Sequence, residues 1–237
     1  MNAMSIGFYV VAGLLAVWLL CWMIRFAFSL RRRSKLKRWA KSRGLAYRWF
    51  CDDDMRERYP EFKVLQPHSY QYARAEMHGW IDGYFVKCFD YYHSRWTSNR
   101  HEGIYLEQYF PLGVVIVELA FPFEPMRIRP KALSDRVGWT DGWEGVEFEL
   151  NEFNRMFEVR SSHRRFAFDV IHPEAMELLQ ASPPFILDFQ KRRLMLYRCK
   201  KFRLEDFEAA VTLAMKLLDQ VPEYLREEQE DAAHADD

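Results

Sequence analysis

Five side chains between residues 78 and 101 carry the most reactive chemistry in this sequence: His78, Cys88, Asp90, His93 and His101. A thiol, an imidazole and a carboxylate can together make an activated nucleophile, the imidazole taking the thiol proton and the carboxylate orienting the ring. The same donors can hold zinc. Cys88 and Asp90 are two residues apart, so on a strand they share one face, and a histidine from a neighbouring strand could approach them. Their spacings match neither a zinc site nor a nucleophile motif, and the histidines fall mostly in segments that read as loops. The group is therefore expected to be structural, with Asp90 bonded to backbone or to a tyrosine hydroxyl. The enzymatic alternative is a membrane-tethered hydrolase or transferase using these His, Asp and Cys groups.

Other signatures are absent. There is no P-loop, Gly-rich dinucleotide turn, His-Glu-x-x-His helix or Gly-x-Ser-x-Gly elbow, and nothing calls for a cofactor or a metal. Cys21, Cys51, Cys88 and Cys199 form no Cys-x-x-Cys pair and are expected as free thiols in a reducing compartment. Trp139 and Trp143, in Gly-Trp-Thr-Asp-Gly-Trp, are of a type that can line a ligand loop; folding back onto the core is the expected role.

A second set of residues has a different chemistry. Arg25, Arg31, Arg32, Arg33, Lys35, Lys37, Arg38, Lys41 and Arg43 form a cationic cluster suited to phosphate groups. It directly follows residues 6–24, which hold no charged residue and span ~28 Å as a helix, enough to cross the hydrocarbon of a bilayer. Anionic lipid head groups are thus the expected partner of all nine cations, and nucleic acid is not, since no RNP-like aromatic motif accompanies them. Residues 1–5 contain no Lys or Arg, whereas eight basic residues lie in 31–43. That bias predicts a retained signal-anchor in the inner membrane, N-terminus out and the rest in the cytoplasm. A cleaved secretory signal would carry the reverse charge order.

The elements that must position these groups follow from periodicity. The chain holds 34 basic and 34 acidic residues, so only their distribution is informative. Residues 1–30 read as the anchor, 31–44 as a basic juxtamembrane segment, 45–222 as one cytoplasmic domain, and 223–237 as an acidic disordered tail. Residues 30–43 are helix-compatible, with Leu36, Trp39 and Ala40 on one face, either extending the anchor or lying at the head-group surface; Gly44 marks the stop. A strand at 45–50 and a short helix capped by Asp52, Asp53 and Asp54 come next. Strands are expected at 70–78 and 84–92, with an exposed loop at 94–103. One long strand or two follow at 104–110 and 114–121, broken by Pro111 and Gly113, and a short one at 126–129. Loop at 131–145 leads to strands at 146–150 and 156–160 around a turn at 151–155. A mainly helical 166–181, a hairpin of 185–189 and 194–199 around Lys191-Arg192-Arg193, and a helix carrying Leu204, Phe207, Val211, Ala214 and Leu218 complete the chain. No helix-length segment separates the central strands, so the fold class is α+β: a mainly antiparallel sheet with helices packed against it.

Three stretches carry a resemblance: Gly83-Tyr-Phe-Val-Lys-Cys-Phe-Asp-Tyr, Val146-Glu-Phe-Glu-Leu-Asn-Glu-Phe-Asn-Arg-Met-Phe-Glu-Val and Phe166-Ala-Phe-Asp-Val-Ile-His-Pro-Glu-Ala-Met-Glu-Leu-Leu. In them the chain resembles a group of uncharacterised bacterial proteins with one N-terminal membrane helix and a cytoplasmic α+β domain. The resemblance implies fold and location and brings no activity or site residues. The expected function is that of a single-pass membrane protein whose domain binds a membrane-complex partner or a small ligand.

Overall fold

The computed structural model describes residues 3–51, 55–66, 71–98, 105–133 and 142–225. Helix α1, Ala3–Ser42, is 40 residues long. At the helical rise that is ~60 Å. From Ala12 to Arg31 it is not buried against the rest of the chain. Its last three turns then enter the domain, burying Leu36, Trp39 and Ala40. Fully burying a side chain such as Leu36 contributes about 1.5–3 kcal/mol, so this end is a structural part of the domain. Gly44, with φ +71°, ends the helix. The Leu45 N–H reaches the Ala40 carbonyl (2.8 Å) and the Gly44 N–H that of Lys41 (3.2 Å), a Schellman closure that turns the chain back along the helix.

The strands are β1 (Ala46–Cys51), β2 (Gln71–Ile81), β3 (Tyr84–Ser98), β4 (Tyr105–Pro130), β5 (Glu144–Val146), β6 (Phe157–Ser161) and β7 (Ile186–Arg198). They form one antiparallel sheet in the order β1-β2-β3-β4-β6-β5, with β7 paired to β4. Strand β4 organises it. Its first half pairs with β3, its last residues with β6, and β7 runs along its other edge. Helix α2 (Met55–Arg58) and a 3₁₀ turn at Lys63–Leu65 cover one face through Met55, Tyr59, Phe62 and Leu65. The other face carries the end of α1 and helices α3 (Asn151–Met156), α4 (Arg164–Val170), α5 (Pro173–Ala181) and α6 (Leu204–Asp219). Both faces of the sheet therefore carry a buried apolar layer.

The α+β class and the antiparallel sheet agree with the sequence reading; several local expectations do not. Residues 186–198 are one strand rather than a hairpin. Arg193 pairs with Glu118 and Lys191, with φ +53°, pairs with Phe123, and the extra residues of this irregular register lie on β4, so β7 passes along it without turning back. Pro111 and Gly113 do not divide β4, which is continuous to Pro130. Residues 151–156 form α3 instead of a turn. The strand expected at 146–150 shrinks to β5, ending at Val146. Of the loop expected at 94–103, residues 94–98 are strand, with Ser98 paired to Tyr105, and the rest lies outside the described residues. Asp52, Asp53 and Asp54, and most of the acidic tail, lie outside the described residues.

Candidate functional site

A single rung of the sheet sits where α1 meets the domain. Phe50 pairs with Arg74, Arg74 with Asp90, Asp90 with Gly113, and Gly113 with Arg198. From the helix, Arg32 reaches this rung. Its Nη2 lies 2.8 Å from Asp90 Oδ2 and 3.0 Å from Oδ1, and its Nε donates to the Phe202 carbonyl at 3.0 Å. The Phe202 N–H donates in turn to Asp90, and Lys201 adds a second positive charge beside it. Burial raises the Asp90 carboxyl above its ordinary value despite these cations. Gly113 makes the arrangement possible. A Cβ there would meet the Phe202 ring at 1.9 Å, so the ring lies directly on the sheet and its backbone turns toward Asp90 and Arg32. One carboxylate thus ties together α1, β3 and the segment between β7 and α6.

Aromatic rings frame this clasp. The Arg33 guanidinium lies 4.8 Å from the Trp49 ring centre. Arg74 stands over Tyr72 at 4.7 Å and Phe50 at 5.5 Å, and Tyr72 stacks on Tyr92 with centroids 4.8 Å apart. Burial, then the charge of Asp90, push the Tyr92 phenol up to about 12. Phe50 itself is 63% exposed. Chemically, the site can hold a helix at a fixed height and present rings and cations around it.

Among the described residues, the reactive ones singled out in the sequence are not assembled. Cys88 and Asp90 do share a face, but Cys88 is wholly buried in the core beneath α1, and burial drives its thiol far up, away from the thiolate. His78 pairs with Lys87 and His93 with Gln71, which places both imidazoles on the opposite face of the sheet. His93 stacks between Tyr91 and Phe110. His101 and Trp139 lie outside the described residues. Trp143 packs beside the Arg127 guanidinium, 5.5 Å away. Among the described residues no group of three or more His, Cys, Asp or Glu is placed to hold a metal ion. Asp90 takes a backbone bond, as expected, but its main partner is Arg32 rather than a tyrosine.

Two polar groups escaped the sequence reading. Glu76 is buried, with Oε1 3.1 Å from His78 Nδ1 and 3.4 Å from Lys87 Nζ. A bulge places it there: Ala75, with φ +54°, and Glu76 together oppose Phe89, so Ala73 faces one core layer while Ala75 and Met77 face the other. The second group is Arg127 with Asp188, an ion pair at 2.6 Å inside the sheet. A charged residue interrupting an apolar run was the available signal at Asp188; Glu76 stands at a polar position of an alternating strand and carried none.

Of the nine cations expected at lipid, Arg32 turns inward. Arg25, Arg31, Arg33, Lys35, Lys37, Arg38, Lys41 and Arg43 are exposed. Among the described residues one helix, at residues 12–42, is long and apolar enough to cross a membrane.

No protein-family model matches the chain, and no curated protein matches it either. A solved structure does: the crystal structure of the mycobacterial trehalose monomycolate transport factor A, TtfA, is similar over 81% of this chain and 95% of that one, with a TM-score of 0.57 and 17% identity. At that identity the likeness is one of fold.

Proposed function

We propose that this chain is a single-pass bacterial inner-membrane protein, N-terminus out, whose cytoplasmic α+β domain binds a protein partner in a membrane complex and presents it at a fixed height above the bilayer. The observation that carries this reading is the unbroken course of α1 from its apolar stretch into the core, locked at its exit by Arg32 on Asp90. A flexible tether would need no such lock; a platform does. Arg25, Arg31, Arg33, Lys35, Lys37, Arg38, Lys41 and Arg43 are assigned to anionic head groups around the exit, each contributing roughly 1 kcal/mol near the surface. Residues 31–44 thereby serve both membrane and domain, 45–222 form the binding module, and 223–237 form an acidic tail. The fold shared with a transport factor supports an accessory role in membrane transport.

Crosslinking with mass spectrometry in native membranes tests the reading. It is expected to join domain lysines reproducibly to one membrane-complex protein. Crosslinks distributed over unrelated proteins in proportion to their abundance would overturn it. A reporter fused after Pro222 should be active in the cytoplasm; activity on the outer side would reverse the topology.

A further inference from the structure

The clasp gives the sheet a scale along α1. Position 45 lies level with Ala40, to which Leu45 is hydrogen-bonded, and Trp49 lies level with Arg33. Four strand residues, ~13 Å, thus cover the same span as seven helical residues, ~10 Å. Strand β1 therefore runs nearly parallel to the helix axis and back toward its apolar part. Strand β2 runs away again, and β3 returns, because each pairing is antiparallel.

At Asp90, β3 is level with Arg32, two residues from the apolar Leu30. It does not stop there. It continues eight residues to Ser98, and β4 comes back from Tyr105 in register with it. The ribbon so formed extends ~26 Å beyond the clasp, on the anchor side. The charge-free stretch ends at Ile24, which puts the hydrocarbon edge ~10 Å before the clasp along α1. Strand β3, two strands from β1, is rotated off the helix axis by the twist of the sheet. The ribbon therefore runs obliquely into the head-group layer, ~5–7 Å thick on each side of the hydrocarbon.

Two further observations agree. Beyond the pair Gln71–His93 the described pairings involve β3 and β4 alone, and a two-stranded ribbon is at best marginally stable in water. The sequence of its two strands is His-Ser-Arg-Trp-Thr-Ser and Tyr-Leu-Glu-Gln-Tyr-Phe, whose Trp96, Tyr105, Tyr109 and Phe110 are of the ring types that settle at membrane–water interfaces or beside them. At its root Tyr109 is 46% exposed, and Phe50 63%, on the same side.

We propose that the ribbon of residues 92–98 and 105–111 is a second membrane-contact element, seated in the head-group layer of the leaflet from which α1 emerges. It rests on the reading that α1 crosses the bilayer. With two contacts instead of one, the domain cannot swivel about the helix axis, and it offers a partner one defined face.

The test uses the full chain in nanodiscs of phosphatidylethanolamine and phosphatidylglycerol. Cys21, Cys51 and Cys199 are replaced by serine, the buried Cys88 is left, and a nitroxide is placed through Leu15→Cys, Leu106→Cys or Trp80→Cys. Collision with oxygen, which concentrates in lipid, is compared with collision with a water-soluble nickel chelate. Position 15 should be lipid-buried and position 80 water-exposed. Position 106 should show several-fold lower access to nickel than position 80, at interfacial depth; Thr97→Cys, its register partner, should repeat the result. Positions 97 and 106 as open to nickel as 80, with 15 still buried, would overturn the ribbon proposal and leave the anchor intact. If 15 is open as well, both fall. Protection of 106 in native membranes but not in nanodiscs would mean that a protein covers the ribbon, which also overturns a lipid contact.

Discussion

Two of the Arg–Asp pairs among the described residues serve different ends. Arg127 and Asp188 are cross-strand partners of β4 and β7, both buried, with Arg127 Nε and Nη2 at 3.0 and 2.6 Å from one carboxylate oxygen and Gln190 donating to the other at 3.0 Å. Arg32 and Asp90 join a helix to the sheet, and the arginine keeps 18% of its side chain exposed. Within the sheet, neither charge has an escape to water, so the pair specifies pairing between two strands. At the clasp, the arginine can turn to solvent, so the pair sets the position of one piece on another.

The largest effect expected from this contrast is at Asp188. Asp188→Ala strands the Arg127 charge in the sheet and should cost about 3–5 kcal/mol. Asp90→Ala should cost less, about 1–3 kcal/mol, because Arg32 can be rehydrated. Thermal unfolding of the full chain in detergent measures both. Equal losses would erase the distinction. Gly113→Ala comes next: it touches no charge, yet it forces Phe202 off the sheet at an overpacking cost of about 1–3 kcal/mol. Because it acts on the clasp, its effect and that of Asp90→Ala should fall short of additive. Full additivity would separate Phe202 from the clasp.

Acid titration sharpens the comparison with a third carboxylate. Burial would raise Asp206 too, but the Arg203 N–H, Lys200 and Arg198 outweigh it and hold its carboxyl below the ordinary value. Stability linked to Asp206 is therefore present above that ordinary value and lost as pH falls through the folded one. Asp90 is raised, so its linkage has the opposite sign: the contribution is full below the ordinary carboxylate value and declines as pH rises through the folded one. Between acid and neutral pH the deficit of Asp206→Asn should grow, while that of Asp90→Asn should shrink. Parallel trends would refute the burial assigned to Asp90. The smallest effects belong to the surface cations. Lys35→Ala and Lys37→Ala should change stability by no more than about 0.5 kcal/mol, yet each should weaken salt-sensitive binding to anionic vesicles by roughly 1 kcal/mol.

What was legible in the sequence was local. The apolar run of α1, Gly44 at its end and the apolar face of α6 each follow from spacing within one element, and each is where periodicity placed it. Position within the sheet was harder. Lys191-Arg192-Arg193 has the composition of a turn, and only pairing with β4 on both sides of an irregular register makes it strand. Gly113 reads as a strand breaker until Phe202 is known to fill the space above it. The alternation along β2 fails at Ala75 because a bulge inserts a residue, and so Glu76 is buried where the period would expose it. The clasp was the least legible. Arg32 stands 58 residues from Asp90 and 170 from Phe202, and in sequence it is one of nine similar cations.

That α1 and the domain move as one body is tested most directly by a distance. Spin labels at Met23→Cys, in the apolar part of α1, and Trp80→Cys, at the far end of the sheet, are compared by pulsed dipolar spectroscopy in nanodiscs. A single narrow distribution is expected, and Arg32→Ala should broaden it while the domain stays folded. A broad distribution in the parent chain, or a narrow one that Arg32→Ala leaves unchanged, would contradict the account.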